Sequence, residues 1–265
     1  MTVQLARRAR IPASEPQRPE VVCAADLAFR YPGASREAVG GLSLSILEGE
    51  VFGLLGPNGA GKTTTISMLS TLLRPGRGRL QVCGVDLLRQ PRSVRSQIGL
   101  VPQEIALYPS LSVRENLSYF GRLHGLRGRE LEQRVAQCLE LVGLAEHGDR
   151  RIEACSGGMK RRANLAAGIV HRPRLLFLDE PTVGIDPQSR STILENLARL
   201  KEQGVTLVYT THYMEEAQQL CTRLAIVDGG RVIAEGTSEE LIAAGDGCAN
   251  LEELFLQLTG RQLRD

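Results

Sequence analysis

The chain has 265 residues, of which 42% are hydrophobic and 23% are charged, an ordinary composition for a globular protein with a sizeable core. Its formal net charge of +2 gives no reason to expect nucleic acid as a bulk electrostatic partner. The six cysteines have neither a CxxC pair nor a metal-ligand spacing, so we expect free thiols in a reducing compartment. No run approaches the roughly 18 apolar residues of a membrane span, and the sequence predicts a cytoplasmic protein.

The first part of the chain predicts a leader followed by a sheet. Residues 1–19 contain four arginines and three prolines without apolar periodicity, which predicts a disordered leader. Short strands are then predicted over 22–30, 42–47 and 50–55, and the alternation of Leu and Ser in the second indicates an antiparallel or mixed sheet. Tyr31 follows the first strand. From the residues alone, it is either a core side chain or a flat surface on which a base could stack.

A glycine-rich turn follows the apolar run 51–55 and precedes a helical pattern. It reads Gly56-Pro57-Asn58-Gly59-Ala60-Gly61-Lys62-Thr63, with Thr64 and Thr65 after it. A strand, a glycine-rich turn and a helix form the context that a phosphate-binding P-loop requires, since glycines let backbone N–H groups approach phosphate oxygens. Lys62 can then reach the β- and γ-phosphates, and the Thr63 hydroxyl can ligate Mg²⁺. The chain has only three lysines, so a lysine at this position favours the interpretation. The sequence predicts that the protein binds a nucleoside triphosphate.

The next stretch predicts a helical insertion with a second glycine motif. A strand over 98–101 leads into Gln103, whose amide could aim at a phosphate or its metal-bound water, although a lone Gln is as readily a surface residue. Apolar residues then fall at three- and four-residue spacings, which predicts an inserted helical subdomain over about 104–172. Within it, Ser156-Gly157-Gly158 precedes a helix. Ser156 suits an N-cap, and the N–H groups there indicate either a second anion site or an ordinary capped helix.

Two acids and a histidine follow buried strands in the last third of the chain. The apolar run 175–178 ends in Asp179 and Glu180, which is typical of a parallel strand that delivers acids to the ligand-binding edge of an α/β sheet. In P-loop proteins such an aspartate contacts Mg²⁺, and the adjacent glutamate can orient or deprotonate a water. His212 closes the strand 205–211 at the same predicted edge, where a structural and a functional role are about equally favoured. Residues 246–265 are predicted to form an amphipathic helical tail.

In this order the motifs resemble the ATP-binding cassette of an ABC transporter, over residues 20–245. The correspondence assigns the Walker A loop to 56–63, the Walker B strand to 175–179, the catalytic glutamate to Glu180, the Q-loop to Gln103, the signature to 155–159, the D-loop to 183–186, the switch histidine to His212 and the adenine-stacking aromatic to Tyr31. The resemblance implies an α/β fold, with a P-loop NTPase core of the RecA-like type, a β-rich N-terminal subdomain and an inserted helical subdomain.

The signature departs from the family's commonest form, Leu-Ser-Gly-Gly-Gln. Cys155 stands in place of Leu and Met159 in place of Gln, while the Ser-Gly-Gly core is intact. Because Met cannot hydrogen-bond as Gln does, contacts across a dimer are expected to differ in detail. A Met followed by Lys-Arg-Arg is similar to cassettes of the ABC-2 export type, which include drug-resistance exporters. The tail also resembles that subgroup.

The resemblance further implies a mechanism and partners. Two copies would close head to tail with ATP between them, so that Ser156, Gly157 and Gly158 of one copy reach the nucleotide held by the Walker A loop of the other. The expected Mg²⁺ contacts are Thr63, Gln103 and Asp179. Glu180 would polarise the attacking water, and His212 would contact the γ-phosphate. A separately encoded transmembrane permease would dock near Gln103 and the helical block, which places the protein on the cytoplasmic face of the membrane.

Two other classes of function compete with this interpretation. A non-transport cassette ATPase acting on nucleic acid or the ribosome would be expected to carry a long coiled coil or a second cassette, and the sequence shows neither. A P-loop GTPase or small-molecule kinase does not explain the signature together with Glu180 and His212. The sequence also has no Asn-Lys-x-Asp run for reading guanine. It does not indicate which cargo is transported.

Overall fold

The computed structural model describes residues 18–260, so most of the expected leader and the last five residues of the tail lie outside the described part. The chain divides into two compact units. The first contains the chain up to Val94 and again from Val208 onward, and the second is Arg95–Leu207. No helix within residues 18–260 is long and apolar enough to cross a membrane.

The elements follow one another in an α/β order. The chain up to Val94 contains β1 (Glu20–Phe29), β2 (Val39–Leu47), β3 (Val51–Leu55), α1 (Lys62–Leu69), β4 (Arg77–Val82) and β5 (Val85–Asp86). The second unit contains β6 (Ile98–Val101), α2 (Val113–Leu123), α3 (Gly128–Leu141), α4 (Gly157–Ile169), β7 (Leu175–Asp179) and α5 (Pro187–Glu202). Strand β8 (Thr206–Thr211) returns the chain to the first unit, which ends with α6 (Met214–Leu220), β9 (Arg223–Asp228), β10 (Arg231–Gly236), α7 (Ser238–Ala244) and α8 (Leu251–Thr259).

The first unit holds the β-rich N-terminal sheet that the sequence predicts. Strands β2-β1-β4-β5 form a four-stranded sheet with antiparallel pairing. In β2, Leu42, Leu44 and Ile46 are buried while Ser43 is exposed, which is the alternation expected of a sheet with one solvent-exposed face. Further strands of this unit follow in the order β10-β9-β3-β8, and β3 runs parallel to β9.

The C-terminal helix α8 belongs to the core of the first unit. Its side chains Leu251, Leu254 and Phe255 are buried in a cluster with Leu55, the last residue of β3. The cluster also contains Met214, Ala217, Leu224, Ile226 and Leu241. The apolar face of α8 therefore packs beneath the strand that leads into the glycine-rich turn.

The second unit joins a parallel strand pair to a group of helices. Strand β6 pairs in parallel with β7, and α2, α3 and α4 lie within the stretch that was expected to be helical. Helix α4 approaches β6 closely because glycines face each other. A Cβ on Gly99 would lie 2.3 Å from the carbonyl oxygen of Gly168, and one on Gly168 would lie 2.7 Å from the Val101 side chain. This close packing fixes α4 against the strand that ends just before Gln103.

Candidate functional site

Two glycines in the glycine-rich turn of the first unit lie too close to neighbouring backbone to carry a side chain. A Cβ on Gly56 would lie 2.4 Å from the carbonyl oxygen of Val227, and one on Gly61, where φ is +100°, would lie 2.5 Å from that of Ala38. The turn is also hydrogen-bonded to its surroundings, since the Gly230 N–H donates to the Ala60 carbonyl at 2.9 Å. The backbone of the turn is therefore fixed by its neighbours.

Lys62 places a positive charge inside this turn. It is the first residue of α1 and is only 5% exposed. Its Nζ donates to the carbonyl oxygens of Gly56 at 2.7 Å and Pro57 at 3.3 Å. No side chain caps α1, so the N–H groups of its first turn and the positive end of its dipole join the ammonium group. This combination suits a phosphate group.

Tyr31 lies beside the same helix with an exposed ring. Its hydroxyl is 3.2 Å from the Thr64 Oγ1, and its ring meets Phe29 edge to face at 4.9 Å between centroids. The side chain is 43% exposed, which excludes the core interpretation that the sequence left open. An aromatic ring that is held by these contacts and is exposed to solvent is able to stack on a planar base.

In the second unit, Gln103 and Glu180 come together at the ends of neighbouring parallel strands. Strand β7 is buried along its length and ends at Asp179, which is 3% exposed; Glu180 follows and is 7% exposed. The Gln103 Nε2 donates to the Glu180 Oε2 at 3.3 Å. Glu180 has φ of +46°, a left-handed conformation that non-glycine residues rarely adopt. A backbone held in this way is typical of functional sites.

Arg161 contacts the backbone of two residues that lie beside Glu180. This arginine was not singled out in the sequence analysis. Its Nη1 donates to the carbonyl oxygen of Gln103, and its Nη2 donates to that of Val183 at 3.1 Å. Burial lowers the pKa of Arg161, and the negative charge of Glu180 acts in the opposite direction. The only signal in the sequence was an arginine one turn into the helix that follows the Ser-Gly-Gly motif.

The Ser156-Gly157-Gly158 motif forms the start of α4. The Ser156 Oγ accepts from the Met159 N–H at 3.3 Å, so Ser156 is the N-cap. Ser156 and Gly157 are exposed, whereas Gly158 and Met159 are buried. The surface of the motif is therefore made by the serine and the first glycine. The replacement of Gln by Met concerns a side chain that is buried within this chain.

Gly158 also packs against the start of α5. A Cβ on Gly158 would lie 2.0 Å from the Ser189 Oγ. Ser189 in turn donates its N–H at 2.9 Å to Asp186, the N-cap of α5. The first turns of α4 and α5 are thus in direct contact, and each has its own side-chain cap.

His212 lies at the end of β8, in the first unit, on a bend that neighbouring side chains hold. The Thr211 Oγ1 accepts from the Tyr213 N–H at 3.0 Å, so a hydrogen bond links the residues before and after His212. The same hydroxyl donates to the Glu216 Oε2 at 2.9 Å, and the Tyr209 hydroxyl donates to that oxygen at 2.5 Å. Glu216 is 3% exposed and was not predicted from the sequence, because a glutamate in a helical pattern gives no signal of its own.

Across residues 18–260 no group of three or more acids, cysteines and histidines is placed to hold a metal ion. The hydroxyl of Thr63, the amide of Gln103 and the carboxylate of Asp179 are oxygen donors, which is the type that Mg²⁺ prefers. The chemistry of this predicted donor set fits that ion.

Comparison with known proteins gives concordant matches. The family model "ABC transporter" matches residues 39–183. The linearmycin resistance ATP-binding protein LnrL of Bacillus subtilis (strain 168) is 50% identical over 83% of this chain and 70% of that protein. The daunorubicin resistance ATP-binding protein DrrA3 of Streptomyces coeruleorubidus is 47% identical, over 84% and 72%. The Nod factor export ATP-binding protein I of Paraburkholderia xenovorans (strain LB400) is 46% identical, over 82% and 71%.

Solved structures of similar fold agree with these sequence matches. An ATP-binding subunit of an ABC transporter superposes with a TM-score of 0.80 at 30% identity, over 90% of this chain and 99% of that chain. A dimeric ATP-binding cassette in a post-hydrolysis state, bound to ADP and phosphate, gives 0.76 at 25% identity, over 82% and 98%. CbiO1 of Clostridium perfringens, part of the ABC transporter complex CbiONQ, gives 0.77 at 29%, over 85% and 91%.

Proposed function

Because this chain belongs to the ABC transporter family as an ATP-binding and ATP-hydrolysing subunit, we propose that it energises a separately encoded membrane permease for export. The names of the three relatives support export, since two are resistance proteins and one is an export protein. CbiO1 supports the permease, because it is part of a transporter complex. The protein would then act at the cytoplasmic face of the membrane, through its permease. The proposed cargo is a small molecule or drug.

The proposed active assembly is a head-to-tail dimer of two copies. The dimeric cassette among the structural relatives supports it. So does the exposure of Ser156 and Gly157, whose helix end is open to a ligand. In this proposal, residues 56–64 and Tyr31 of one copy bind a triphosphate, and residues 156–158 of the second copy contact the same nucleotide.

In each copy, different residues would bind the phosphates and the base. Lys62 and the amides of the turn bind the β- and γ-phosphates, and the open face of Tyr31 stacks on adenine. The oxygen atoms of Thr63, Gln103 and Asp179 would hold Mg²⁺, which would neutralise charge on the phosphates.

Hydrolysis depends on the side chains that surround the γ-phosphate. Phosphoryl transfer needs mainly positioning and charge stabilisation, so a single misplaced group is costly. Glu180 orients and polarises the attacking water, and His212 contacts the γ-phosphate. The observation that carries this assignment is the Glu180 carboxylate, held by the Gln103 amide at 3.3 Å on a backbone with positive φ. These two features restrict the position of the Glu180 carboxylate.

The test is Glu180→Gln in the full-length chain. This variant keeps the size of the side chain and removes the base, so it is expected to bind ATP, form an ATP-dependent dimer and lose about 10²- to 10³-fold in kcat. ATPase assays and light scattering with and without ATP measure the two properties. The matched control is Glu202→Gln, at the exposed end of α5, which should keep the wild-type rate. Turnover of Glu180→Gln near the wild-type rate would refute the assignment.

A second experiment tests the transport partner. Co-expression with a candidate permease should move the chain into the membrane fraction and change its ATPase rate. A chain that stays in the soluble fraction with an unchanged rate, for every permease that is encoded beside it, would contradict the proposal.

A further inference from the structure

Arg161 connects the two segments that hold Glu180. One of its terminal nitrogens donates to the Gln103 carbonyl oxygen, and the other donates to the Val183 carbonyl oxygen at 3.1 Å. The same two residues contact Glu180 directly. The Gln103 Nε2 donates to its carboxylate at 3.3 Å, and the Val183 N–H donates to its backbone carbonyl at 3.3 Å. Arg161 thus binds the backbone of two residues that contact the glutamate.

The backbone of Glu180 needs such support. Its φ of +46° lies in the region where a side chain crowds the main chain, and this conformation persists only where the surroundings hold it. Contacts on both sides restrict Glu180, since Gln103 holds its side chain and Val183 closes the turn that it begins. Without Arg161, Gln103 and Val183 would each lose a hydrogen bond to α4, although Asn164 of the same helix would still donate to the Pro102 carbonyl oxygen at 3.2 Å.

We propose that Arg161 is a positioning residue for ATP hydrolysis, which holds Gln103 and Val183 so that the Glu180 carboxylate stays directed at the attacking water. The inference rests on the proposed catalytic role of Glu180. A guanidinium group is suited to this task because its donors form a rigid planar fork that can bind two carbonyl oxygens at once. A lysine keeps the charge but has no such fork.

The same helix provides a matched control. The neighbouring Arg162 also bridges two backbone carbonyl oxygens, those of Val142 at 2.9 Å and Gly143 at 3.0 Å. These carbonyls follow the end of α3, and within residues 18–260 their hydrogen bonds from Arg162 involve neither Gln103 nor Glu180. Loss of Arg162 therefore removes the same kind of bridge from the same helix, without releasing the glutamate.

The experiment compares Arg161→Gln, Arg161→Lys and Arg162→Gln in the full-length chain. We expect Arg161→Gln to lower kcat by about tenfold to a hundredfold, the scale that a misplacement of about 1 Å causes. Binding of a fluorescent ATP analogue should stay within about twofold, because the effect falls on the positioned group. Arg161→Lys should recover only part of the rate, and Arg162→Gln should keep kcat within about twofold. Thermal unfolding of each variant separates loss of fold from loss of positioning.

A double variant completes the test. In the Glu180→Gln background, Arg161→Gln should lower the residual rate no further, because the group that it positions is already removed. An unchanged kcat in Arg161→Gln, an equal fall in Arg162→Gln, or a further fall in the double variant would overturn the inference while Glu180→Gln stays inactive. An active Glu180→Gln would instead refute the proposed function, and the inference with it.

Discussion

His171 should make the stability of the protein depend on pH. It follows the end of α4 in the second unit, and its Nε2 lies 2.8 Å from the Ile98 carbonyl oxygen. Its ring stacks on that of His124 at 3.6 Å between centroids. Burial lowers the pKa of His171 to about 4, the hydrogen bond to Ile98 opposes this, and the nearby charges of His124 and Arg134 lower it further.

The sign and the size of the effect follow from linkage. An unfolded histidine has a pKa of about 6.5, so between pH 6.5 and 4 the unfolded chain binds a proton that the folded chain does not. The contribution to the free energy of unfolding is complete above pH 6.5 and is lost as the pH falls toward 4. A difference of roughly 2.5 between the two pKa values corresponds to about 3 kcal/mol, as an upper bound.

Urea denaturation at pH 7, 5.5 and 4.5 measures this dependence. Between pH 7 and 4.5, the free energy of unfolding of the wild type should fall by about 2 to 3 kcal/mol more than that of His171→Leu. The control is His147→Gln, which replaces an exposed histidine and should follow the wild-type pH dependence. An identical pH dependence in His171→Leu and the wild type would refute the reasoning.

Two substitutions test packing beside the site. Gly158→Ala places a Cβ 2.0 Å from the Ser189 Oγ and should lower the free energy of unfolding in urea by about 1 to 3 kcal/mol. The control Gly157→Ala places a Cβ with nothing within 4 Å and should lower it by less. Equal losses of stability in the two variants would contradict this. Phe255→Ala empties part of the cluster beneath Leu55 and should cost about 3 to 5 kcal/mol, against little for the exposed Glu252→Ala. A Phe255→Ala chain with wild-type stability would show that α8 is peripheral.

The fold class and the family could be predicted because their signals are local. A P-loop is encoded by consecutive residues between a strand and a helix, and an acid pair after four apolar residues indicates where a parallel strand ends. Each pattern is complete within about ten residues. The comparisons with known proteins confirm the family, the ATPase activity and the P-loop fold that these patterns indicated. The roles of the individual site residues stay predictions.

Other features could not be predicted because they depend on distant segments. Arg161 acquires its contacts only when Gln103 and Val183, which are 80 positions apart, lie beside α4. Glu216 is a different case, because its partners Tyr209 and Thr211 are near in the sequence but the whole group is buried, which no periodicity reveals. The positive φ of Glu180 is set by such surroundings, since glutamate has no preference for that conformation.

The cluster beneath Leu55 has a consequence for the order in which the chain can fold. Leu55 directly precedes the phosphate-binding turn, and Phe255, which packs in the same cluster, lies 200 positions later in the chain. Strand β3 also pairs with β9, whose residues follow it by about 170 positions. Contacts of such long range form late, because a large loop must close first. The support of the nucleotide-binding turn is thus complete only after Phe255 has been synthesised.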